Sequence, residues 1–293
     1  MNKYLIFRTD RIGDFLISAI LIKGIKSNDK NAHVVVVTSI KNFEYVKRFE
    51  LVDEVILLKP GIINKLKIIY KLRGFFFKSI IIHDNKKRSH LISFFLKTEN
   101  KIKLIHKNYQ SHIQIVKDIL MKLNFSFKDF FLNTIEKRQK QKENLKGFVQ
   151  FHFDEKWIFN SYIKKFINIE PSEKDLLVFL TSLIEKTNKK VFITTGAQPP
   201  ILLESFIKNN INPKIIYFKN LNFFELENIV LNADSLISCH GAISHVAAAG
   251  NIKQIDIIDT SYNYSFWTKH FRNYTSVNRD AFKTLSEKLL SLI

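Results

Sequence analysis

The stretch Leu5-Ile6-Phe7-Arg8-Thr9-Asp10-Arg11-Ile12-Gly13-Asp14-Phe15-Leu16 decides the fold of this chain. The apolar run from Tyr4 to Phe7 predicts a buried first strand. After Gly13, apolar residues recur at helical spacings, which predicts a helix that begins near Ile12 or Gly13. A short loop with two arginines and two aspartates connects the two elements. Ligands bind beyond the carboxyl ends of parallel strands, so this loop is a candidate binding site.

Two residues of this loop have chemistry that suits a ligand site. Gly13 lets the backbone come close to a bound molecule. Asp14 falls in the first helical turn, where the helix dipole favours its ionised form, so it can accept a proton or a hydrogen bond. The structural alternative is that Asp14 only caps the helix and that Arg8 and Arg11 are solvated.

The order Arg-Thr-Asp-Arg-Ile-Gly-Asp over residues 8–14 resembles the N-terminal signature of the ADP-heptose:lipopolysaccharide heptosyltransferases, glycosyltransferase family 9. The resemblance implies an α/β fold of GT-B type, in which two Rossmann-like domains with parallel sheets face each other across a cleft. It also implies an inverting, metal-independent transfer of heptose from a nucleotide sugar to the lipopolysaccharide core. Asp14 would then be the catalytic base and Gly13 a donor-side residue. Arg8, Asp10 and Arg11 would contact the acceptor.

Length and composition set broad limits on the class of protein. With 293 residues, 46% of them hydrophobic, the chain can form two domains with separate cores. Charged residues interrupt every apolar stretch well before 18 residues, so no transmembrane helix is expected. Arg8, Asp10 and Arg11 likewise exclude a signal-peptide core. The single cysteine, Cys239, excludes a disulfide framework and a cysteine-rich zinc site. We expect a cytoplasmic protein.

The positive charge is concentrated in the first half of the chain. Residues 1–150 contain 30 Lys and Arg and 13 Asp and Glu, whereas residues 151–293 contain 16 and 14. A basic half beside a near-neutral half indicates an anionic partner for the first. Nucleic acid, an anionic membrane surface and a phosphorylated glycolipid all fit. The aromatic residues lack any arrangement typical of nucleic-acid binding, so we expect no nucleic acid.

Strands alternate with helices along both halves, which predicts parallel sheets covered on both faces. The polar run over residues 136–143 is the predicted connector between domains. We therefore predict an acceptor-binding domain over 1–146 and a nucleotide-sugar-binding domain over 147–293. The amphipathic helix over 280–293 is expected to pack back on the first domain, as in many GT-B proteins.

The segment 61–78 combines apolar and basic residues, and two interpretations apply to it. Its helix could lie on an anionic bilayer surface. Alternatively it is an ordinary crossover helix that buries a face formed by Ile62, Leu66 and Ile69 against its own sheet. We favour the second interpretation for the apolar stripe. The cations and the run Phe75-Phe76-Phe77 remain candidates for surface contact.

A second candidate acceptor segment, His83-Asp84-Asn85-Lys86-Lys87-Arg88-Ser89, follows the fourth predicted strand. Heptosyltransferases have a comparable stretch on the acceptor side, which implies acceptor contacts for Asp84, Lys87 and Arg88. Arginine can bind phosphate or carboxylate through two hydrogen bonds. A solvated basic turn is the structural alternative.

The strongest signal in the second half is a strand over 235–239 followed by an alanine-rich helix over 242–249. Free amides at a helix N-terminus form an anion site, and Gly241 permits close approach. The family pattern here is Asp-Thr-Gly-x-x-His. Ser244 and His245 match it, whereas His240, Gly241 and Ala242 replace Asp, Thr and Gly. The resemblance implies that the residues of this loop contact the donor: His240, Gly241, Ala242, Ser244 and His245.

Two further segments are expected on the donor side. Lys156, just before Trp157, matches a family lysine that reaches the donor phosphate. Thr195 and Gly196, after another predicted strand, fit the nucleotide-side loop. No P-loop, GxGxxG or metal-ligand spacing is present, so we expect no metal and no cofactor beyond the nucleotide-sugar donor, with an ADP-linked donor favoured.

Two hypotheses follow. The first is a monomeric glycosyltransferase that binds a nucleotide sugar and an anionic glycolipid or glycan acceptor, with a peripheral position on the cytoplasmic face of the inner membrane as a further expectation. The second is a catalytically silent GT-B-like module that binds anionic lipid or glycan through its basic half.

Overall fold

The computed structural model describes residues 1–104, 108–135, 147–158, 166–196, 199–210 and 212–293. The predicted connector over 136–143 lies outside the described residues. Within them, the elements of the first half are β1 (Asn2–Phe7), α1 (Ile12–Asn28), β2 (Ala32–Thr38), α2 (Phe43–Lys47), β3 (Glu54–Leu57), α3 (Ile62–Leu72), β4 (Phe76–Ile82), α4 (Lys87–Phe94), β5 (Lys97–Lys103) and α5 (His112–Lys122). Those of the second half are β6 (Phe148–His152), α6 (Glu173–Thr187), β7 (Lys190–Thr194), α7 (Ile201–Asn209), β8 (Ile215–Tyr217), α8 (Phe223–Asn232), β9 (Ser235–Cys239), α9 (Ala242–Ala249), β10 (Lys253–Ile258), α10 (Ser265–Thr268), β11 (Tyr274–Asn278) and α11 (Phe282–Ser291).

The first unit consists of Met1–Thr134 together with Ser265–His270. Its sheet has the order β3-β2-β1-β4-β5, and the paired strands are parallel. The short helix α10 belongs here because it packs on α5, where the rings of His112 and Phe266 lie 4.5 Å apart.

The opening strand and helix form the centre of this unit. β1 pairs with β2 on one side and β4 on the other, and its residues Tyr4, Leu5, Ile6 and Phe7 are fully buried. α1 begins at Ile12, which confirms the predicted start. It is apolar almost all round because it is covered by the sheet, by α5 and by the turn at Asp129–Leu132.

The structure shows that the predicted buried face of α3 is wrong. Ile68 and Leu72 pack into the core over the sheet, and Ile69 is only partly buried. Ile62 and Leu66 are instead 60% and 57% exposed. Several faces of this helix carry apolar residues, so its sequence permits more than one rotation, and packing against the sheet selects one. The outward apolar face is therefore solvent-exposed.

The second unit consists of Ile135–Tyr264 and Phe271–Ile293. Its parallel sheet has the order β11-β10-β9-β6-β7-β8. β11 is a strand that the sequence pattern did not predict. The last helix, α11, packs on α6 and β11 within its own unit, whereas α10 is the segment of the second half that belongs to the first unit. The prediction of two α/β domains with parallel sheets is confirmed.

The strand order determines where the candidate loops lie in each sheet. In each sheet, the first strand along the chain lies beside the fourth, and the order runs outward in opposite directions from that pair. These pairs are β1 with β4 and β6 with β9. Such a reversal opens a crevice at the carboxyl ends of the two strands, where doubly wound sheets bind ligands. None of the described helices is long and apolar enough to span a bilayer.

Candidate functional site

Arg8 connects the loops after β1 and β4 in the first unit. It is 1% exposed, which excludes the alternative that it is solvated. Its Nε donates to the Asp14 carbonyl (2.9 Å) and its Nη1 to the His83 carbonyl (2.8 Å). Nη1 also lies 3.5 Å from Asp10 Oδ2, and Nη2 lies 3.8 Å from Asp14 Oδ1. The guanidinium therefore holds two carboxylates in the loop and ties that loop to β4.

Asp14 combines a capping contact with an accessible carboxylate. Its Oδ2 accepts a hydrogen bond from the backbone N–H of Arg11 at 3.3 Å, so it does cap α1. Its side chain is nevertheless 31% exposed, and Arg8 approaches its other oxygen. Gly13 is buried beneath the loop, and the Arg11 side chain is exposed. This geometry leaves Asp14 able to accept a proton from a bound molecule.

The loop after β4 is attached to the same site by Asp84. Its Oδ2 accepts hydrogen bonds from Thr9 Oγ1 (2.5 Å) and Ser89 Oγ (2.9 Å), and its Oδ1 accepts one from the Lys86 amide (3.2 Å). Arg88 donates to Thr9 Oγ1 at 2.6 Å. Asp84 and Arg88 thus hold the two loops together, while Lys87 is exposed to solvent. The alternative of a solvated turn therefore fits Lys87 but not Asp84.

The sequence did not predict two contacts of the loop after β4. Lys86 forms an ion pair with Asp10. Ser18 Oγ of α1 lies 2.8 Å from His83 Nδ1, and both side chains are fully buried. The sequence signal for the contact between Ser18 and His83 is a histidine directly after an apolar strand. Together with those of Arg8, these contacts connect the loop after β4 to the loop after β1 and to α1.

In the second unit, Lys156 lies in the short turn Glu155–Trp157 after β6. Asp154 caps this turn, because its Oδ1 accepts from the Lys156 amide at 3.1 Å. The Lys156 ammonium lies 2.6 Å from Asp154 Oδ2 and donates to the carbonyls of Cys239 (3.3 Å) and His240 (3.4 Å). The structure thus brings Lys156 to the end of β9, beside the predicted anion loop.

The ion pair of Asp154 with Lys156 is electrostatically strong. Burial by itself would raise the pKa of Asp154, but the charge of Lys156 and a hydrogen bond from His152 lower this pKa below its usual value. Burial by itself would lower the pKa of Lys156, and the charge of Asp154 raises it above the usual value instead. Both groups are therefore charged at neutral pH, and Lys156 presents a fixed cation.

Gly241 has a structural role besides the predicted one. A Cβ at this position would lie 2.6 Å from the Lys156 ammonium nitrogen. The glycine therefore makes room for Lys156. Its amide donates to Ser244 Oγ at 3.2 Å, which closes the turn into α9. The Ser244 amide donates to the Gly241 carbonyl at 3.1 Å, whereas the amides of Ala242 and Ile243 precede the first intrahelical hydrogen bond and are suited to an anion.

Asp256 holds His240 in position. This residue of β10 is fully buried. Its Oδ2 lies 2.7 Å from His240 Nδ1, and its Oδ1 accepts from Ser244 Oγ (2.6 Å) and Ser238 Oγ (3.2 Å). A carboxylate accepts but does not donate, so Nδ1 of His240 carries a proton. The sequence signal that could have identified Asp256 is an acid within the apolar strand over 253–258.

His245 lies in the first turns of α9 among aromatic rings. Its ring centroid is 5.5 Å from that of His240 and 5.2 Å from that of Phe271, and the residue is 7% exposed. Tyr264 packs edge-on against His240 at 5.0 Å. The structure therefore brings His240, Gly241, Ser244 and His245 together, as the motif predicts.

Thr195 and Gly196 follow β7, which neighbours β6 in the sheet. Thr195 is buried, and a Cβ at Gly196 would meet the carboxylate of Glu155. The Thr195 side chain forms a hydrogen bond with Tyr217, and the neighbouring Thr194 makes further polar contacts. Its hydroxyl oxygen accepts a hydrogen bond from Gln150 at 2.8 Å and lies 3.0 Å from His152 Nδ1. Gly196 leaves room for the side chain of Glu155, which belongs to the turn that carries Lys156.

Arg279, just after β11, is a second functional candidate that sequence reasoning missed. It is 7% exposed and donates through Nη2 to the Lys156 carbonyl at 2.6 Å. The same nitrogen lies 3.5 Å from Cys239 Sγ. Burial raises the pKa of the Cys239 thiol to about 12, so this cysteine is a packing residue. Within the described ranges, no group of three or more His, Cys, Asp or Glu residues could hold a metal ion.

The chain resembles known proteins in its fold but not in its sequence. No family model matches the chain, and no curated protein matches its sequence. Among solved structures, E. coli heptosyltransferase WaaC with ADP-2-deoxy-2-fluoro heptose matches with a TM-score of 0.75 at 10% identity, over 99% of this chain and 100% of that one. E. coli ADP-heptose lps heptosyltransferase II matches with a TM-score of 0.69 at 12% identity, over 100% and 98% of the two chains.

A third solved structure, the glycosyl transferase family 9 protein from Veillonella parvula, matches with a TM-score of 0.70 at 10% identity, over 100% of this chain and 93% of that one. These identities are low, so the likeness is one of fold. It nevertheless extends over both α/β units. The fold expected from the resemblance of residues 8–14 is thus confirmed, because this chain shares it with these solved structures.

Proposed function

We propose that this protein is an inverting, metal-independent glycosyltransferase that moves a heptose-like sugar from an ADP-linked donor to a lipopolysaccharide-core or related cell-surface glycan. The observation that carries the proposal is the cluster after β6 and β9, in which Lys156, His240 and the N-terminus of α9 converge at the switch point of the sheet. The solved structure of WaaC with an ADP-linked fluoro heptose supports it, because that chain shares the fold.

The second unit would hold the donor through its diphosphate. Lys156 supplies a fixed positive charge, and the first amides of α9 supply hydrogen-bond donors. In its protonated form, His240 donates one N–H to Asp256 and the other to a phosphate oxygen. These groups stabilise the negative charge that grows on the diphosphate as it leaves, which is the task that a metal ion performs in other transferases.

The first unit would bind the acceptor and activate it. Asp14 accepts the proton of the acceptor hydroxyl as that oxygen attacks the anomeric carbon from the face opposite the diphosphate. The new glycosidic bond forms while the bond to the diphosphate breaks, so the anomeric configuration inverts. Arg8 keeps the Asp14 carboxylate in place, and Arg88 holds the two loops together through Thr9. The exposed side chains of Arg11 and Lys87 are available to an anionic acceptor. This mechanism includes the arrangement expected from the sequence, in which the two units face each other.

A cytoplasmic location and a monomeric state, both expected from the sequence, are part of this proposal. The alternative of a catalytically silent binding module is not favoured, because the close structural relatives are transferases. The experiment begins with a panel of ADP-linked and UDP-linked sugars and a core-glycan acceptor. Product mass and release of nucleotide are measured. If no member of the panel binds or gives product, the proposed function is wrong.

Asp14→Asn tests the base. We expect turnover to fall by about a thousandfold, because general-base catalysis contributes on the order of 10²- to 10⁴-fold. The affinity for ADP should stay within about twofold. Asp175→Asn is the matched control, since Asp175 is another first-turn acid, in α6, whose amide is capped by Ser172 at 3.1 Å. Activity of Asp14→Asn close to that of the control would refute the assignment of the base.

A double-mutant cycle tests the donor side. His240→Ala and Asp256→Asn should each weaken ADP binding by about tenfold, since a hydrogen bond to a charged group contributes about 1.5–3 kcal/mol. The double variant should bind no more weakly than either single variant, because Asp256 acts through His240. Ser238→Ala, which removes a different hydrogen bond to Asp256, is the control. Additive losses would show that Asp256 does not act through His240.

A further inference from the structure

The outer face of α3 and α4 exposes an apolar surface that the fold does not use. Both helices cover the same side of the first sheet, where Ile68 and Leu72 of α3 and Ile92 of α4 enter the core. On their opposite sides, large apolar side chains point to solvent. We call this surface the α3–α4 face, defined by Ile62, Ile63, Leu66, Tyr70, Leu91 and Phe94.

The apolar side chains of this face are highly exposed and lie next to one another, unlike the single apolar residues found on most protein surfaces. Ile63 is 65% exposed, Tyr70 is 71% exposed and Phe94 is 76% exposed. Ile62, Leu66 and Tyr70 recur at intervals of four residues, so they form one stripe along α3. Leu91 and Phe94 lie three residues apart on α4, which contacts α3. Apolar patches of this kind mark interaction sites.

The charges around the face indicate its partner. Residues 59–73 contain five cations and no acidic residue: Lys59, Lys65, Lys67, Lys71 and Arg73. Lys71 is paired with Glu54 at 2.7 Å, and the Arg73 guanidinium lies 4.4 Å over the ring of Tyr70. Apolar side chains bordered by cations are typical of helices that lie in the surface of an anionic bilayer.

The position of the face agrees with this partner. α3 begins just beyond the carboxyl end of β3, and Gly61, with φ of +102°, turns the chain into it. The carboxyl ends of parallel neighbouring strands lie at one edge of the sheet. Ile62 and Ile63 therefore lie at the same edge as the loops of Arg8 and Asp84.

We infer that the α3–α4 face binds the surface of a bilayer that contains anionic phospholipid, with Ile62, Ile63 and Leu66 inserted among the acyl chains and Lys65, Lys67 and Arg73 beside the headgroups. If the proposed function also holds, this contact presents the first-unit loops to a lipid-anchored acceptor. Membrane binding itself does not depend on catalysis.

The experiment measures flotation of the purified chain with vesicles, in the absence of donor and acceptor. Vesicles of phosphatidylcholine alone are compared with vesicles that contain one third phosphatidylglycerol. We expect binding to the anionic vesicles to be at least tenfold stronger, and to weaken as salt is raised. Equal binding to both vesicles, or none to either, would overturn the inference.

Variants locate the contact. The double variant Ile63→Ser with Leu66→Ser should reduce binding to anionic vesicles at least tenfold, and Lys67→Glu should reduce it severalfold. Ile201→Ser, at an 87% exposed isoleucine of α7 in the other unit, is the matched control and should bind like the unaltered protein. All these positions are exposed, so circular dichroism and thermal unfolding should be unchanged. Loss of binding in the control to the same extent would refute the assignment.

Two further measurements test whether the helix inserts into the bilayer and whether a second copy of the chain covers the face instead. Tyr70→Trp should place an indole in the bilayer, so brominated lipids should quench the additional fluorescence over that of Trp157 and Trp267. Light scattering after gel filtration tests the competing occupant, a second copy of the chain. If the protein is a dimer that Ile63→Ser with Leu66→Ser dissociates, and the vesicles capture nothing, the face is a dimer interface and the inference is wrong.

Discussion

At the scale of single residues, the candidate sites depend on buried charges that are held by partners. Arg8 is held by two carbonyls and lies beside Asp10 and Asp14. In the second unit, Lys156 is paired with Asp154 at 2.6 Å. Buried charges are costly unless they are paired. Each site therefore presents a charged group whose position is fixed before a ligand arrives, which is the condition for strong electrostatic stabilisation.

The pair of Asp154 with Lys156 predicts a component of acid sensitivity. The pKa of Asp154 in the folded protein is below its ordinary value of 3.8. Below about pH 4 the unfolded chain therefore binds more protons at this position than the folded one. The free energy of unfolding then falls as the pH falls, and this contribution, on the order of 2 kcal/mol, is fully present only above that pH.

Urea unfolding at pH 5 and at pH 3 checks this prediction. Asp154→Asn should lose less stability than the unaltered protein over this interval, although it starts from a lower value. Asp234→Asn, which removes an exposed ion pair with Lys189, should follow the unaltered protein. Parallel losses in all three proteins would contradict the prediction.

At the scale of elements, short turns after strands bring distant residues together. The turn Glu155–Trp157 is capped by Asp154, buries Trp157 in the core and directs Lys156 towards β9. Gly241, at the start of α9, leaves the space that the lysine occupies. The two turns therefore depend on each other, and a small change in one should be detected in the other.

Gly241→Ala tests this dependence. The new Cβ would displace the Lys156 ammonium, so we expect ADP affinity to fall by about tenfold and stability to fall by about 1–3 kcal/mol, the usual cost of overpacking. Gly74→Ala is the control, because nothing lies within 4 Å of a Cβ at that position. The measurements are ADP titration and urea unfolding. Normal donor binding by Gly241→Ala would show that Lys156 does not contribute to it.

At the scale of the whole molecule, two separate α/β units carry different charge and different sites. The basic first half contains Asp14 and the exposed apolar face of α3 and α4, whereas the near-neutral second half contains the predicted diphosphate site. The proposed function assigns an anionic, lipid-linked acceptor to the first unit and a small donor to the second. A diphosphate needs only local charge, whereas a membrane surface responds to the charge of a whole face.

Hydrogen exchange measured by mass spectrometry should show this division. Added ADP should slow exchange most strongly in residues 154–158 and 241–249, because those amides or their neighbours would contact the nucleotide. Residues 8–16 should change less in the absence of acceptor. Stronger protection at 8–16 than at 241–249 would show that the donor binds to the first unit, contrary to the proposal.

Much of this architecture could be predicted from the sequence because it depends on local signals. The apolar strand ending at Phe7 and the helical spacing after Gly13 fix β1 and α1, and the same reasoning gives α9. The resemblance to heptosyltransferases also implied that Lys156 and Gly241 both contact the donor. It did not indicate that Gly241 accommodates Lys156, because side-chain proximity across strands depends on strand order, which no local pattern specifies.

The residue spacing by itself determined the fold class, the helix starts and the resemblance to heptosyltransferases, because these follow from periodicity and from turn chemistry within a few residues. Only the tertiary structure decided that Asp256 orients His240, that Arg279 supports Lys156 and that α3 buries Ile68 rather than Ile62. The first two contacts join residues far apart in the chain. The third depends on which of several apolar faces of α3 turns towards the sheet. Packing on the sheet, rather than hydrophobicity alone, makes that choice.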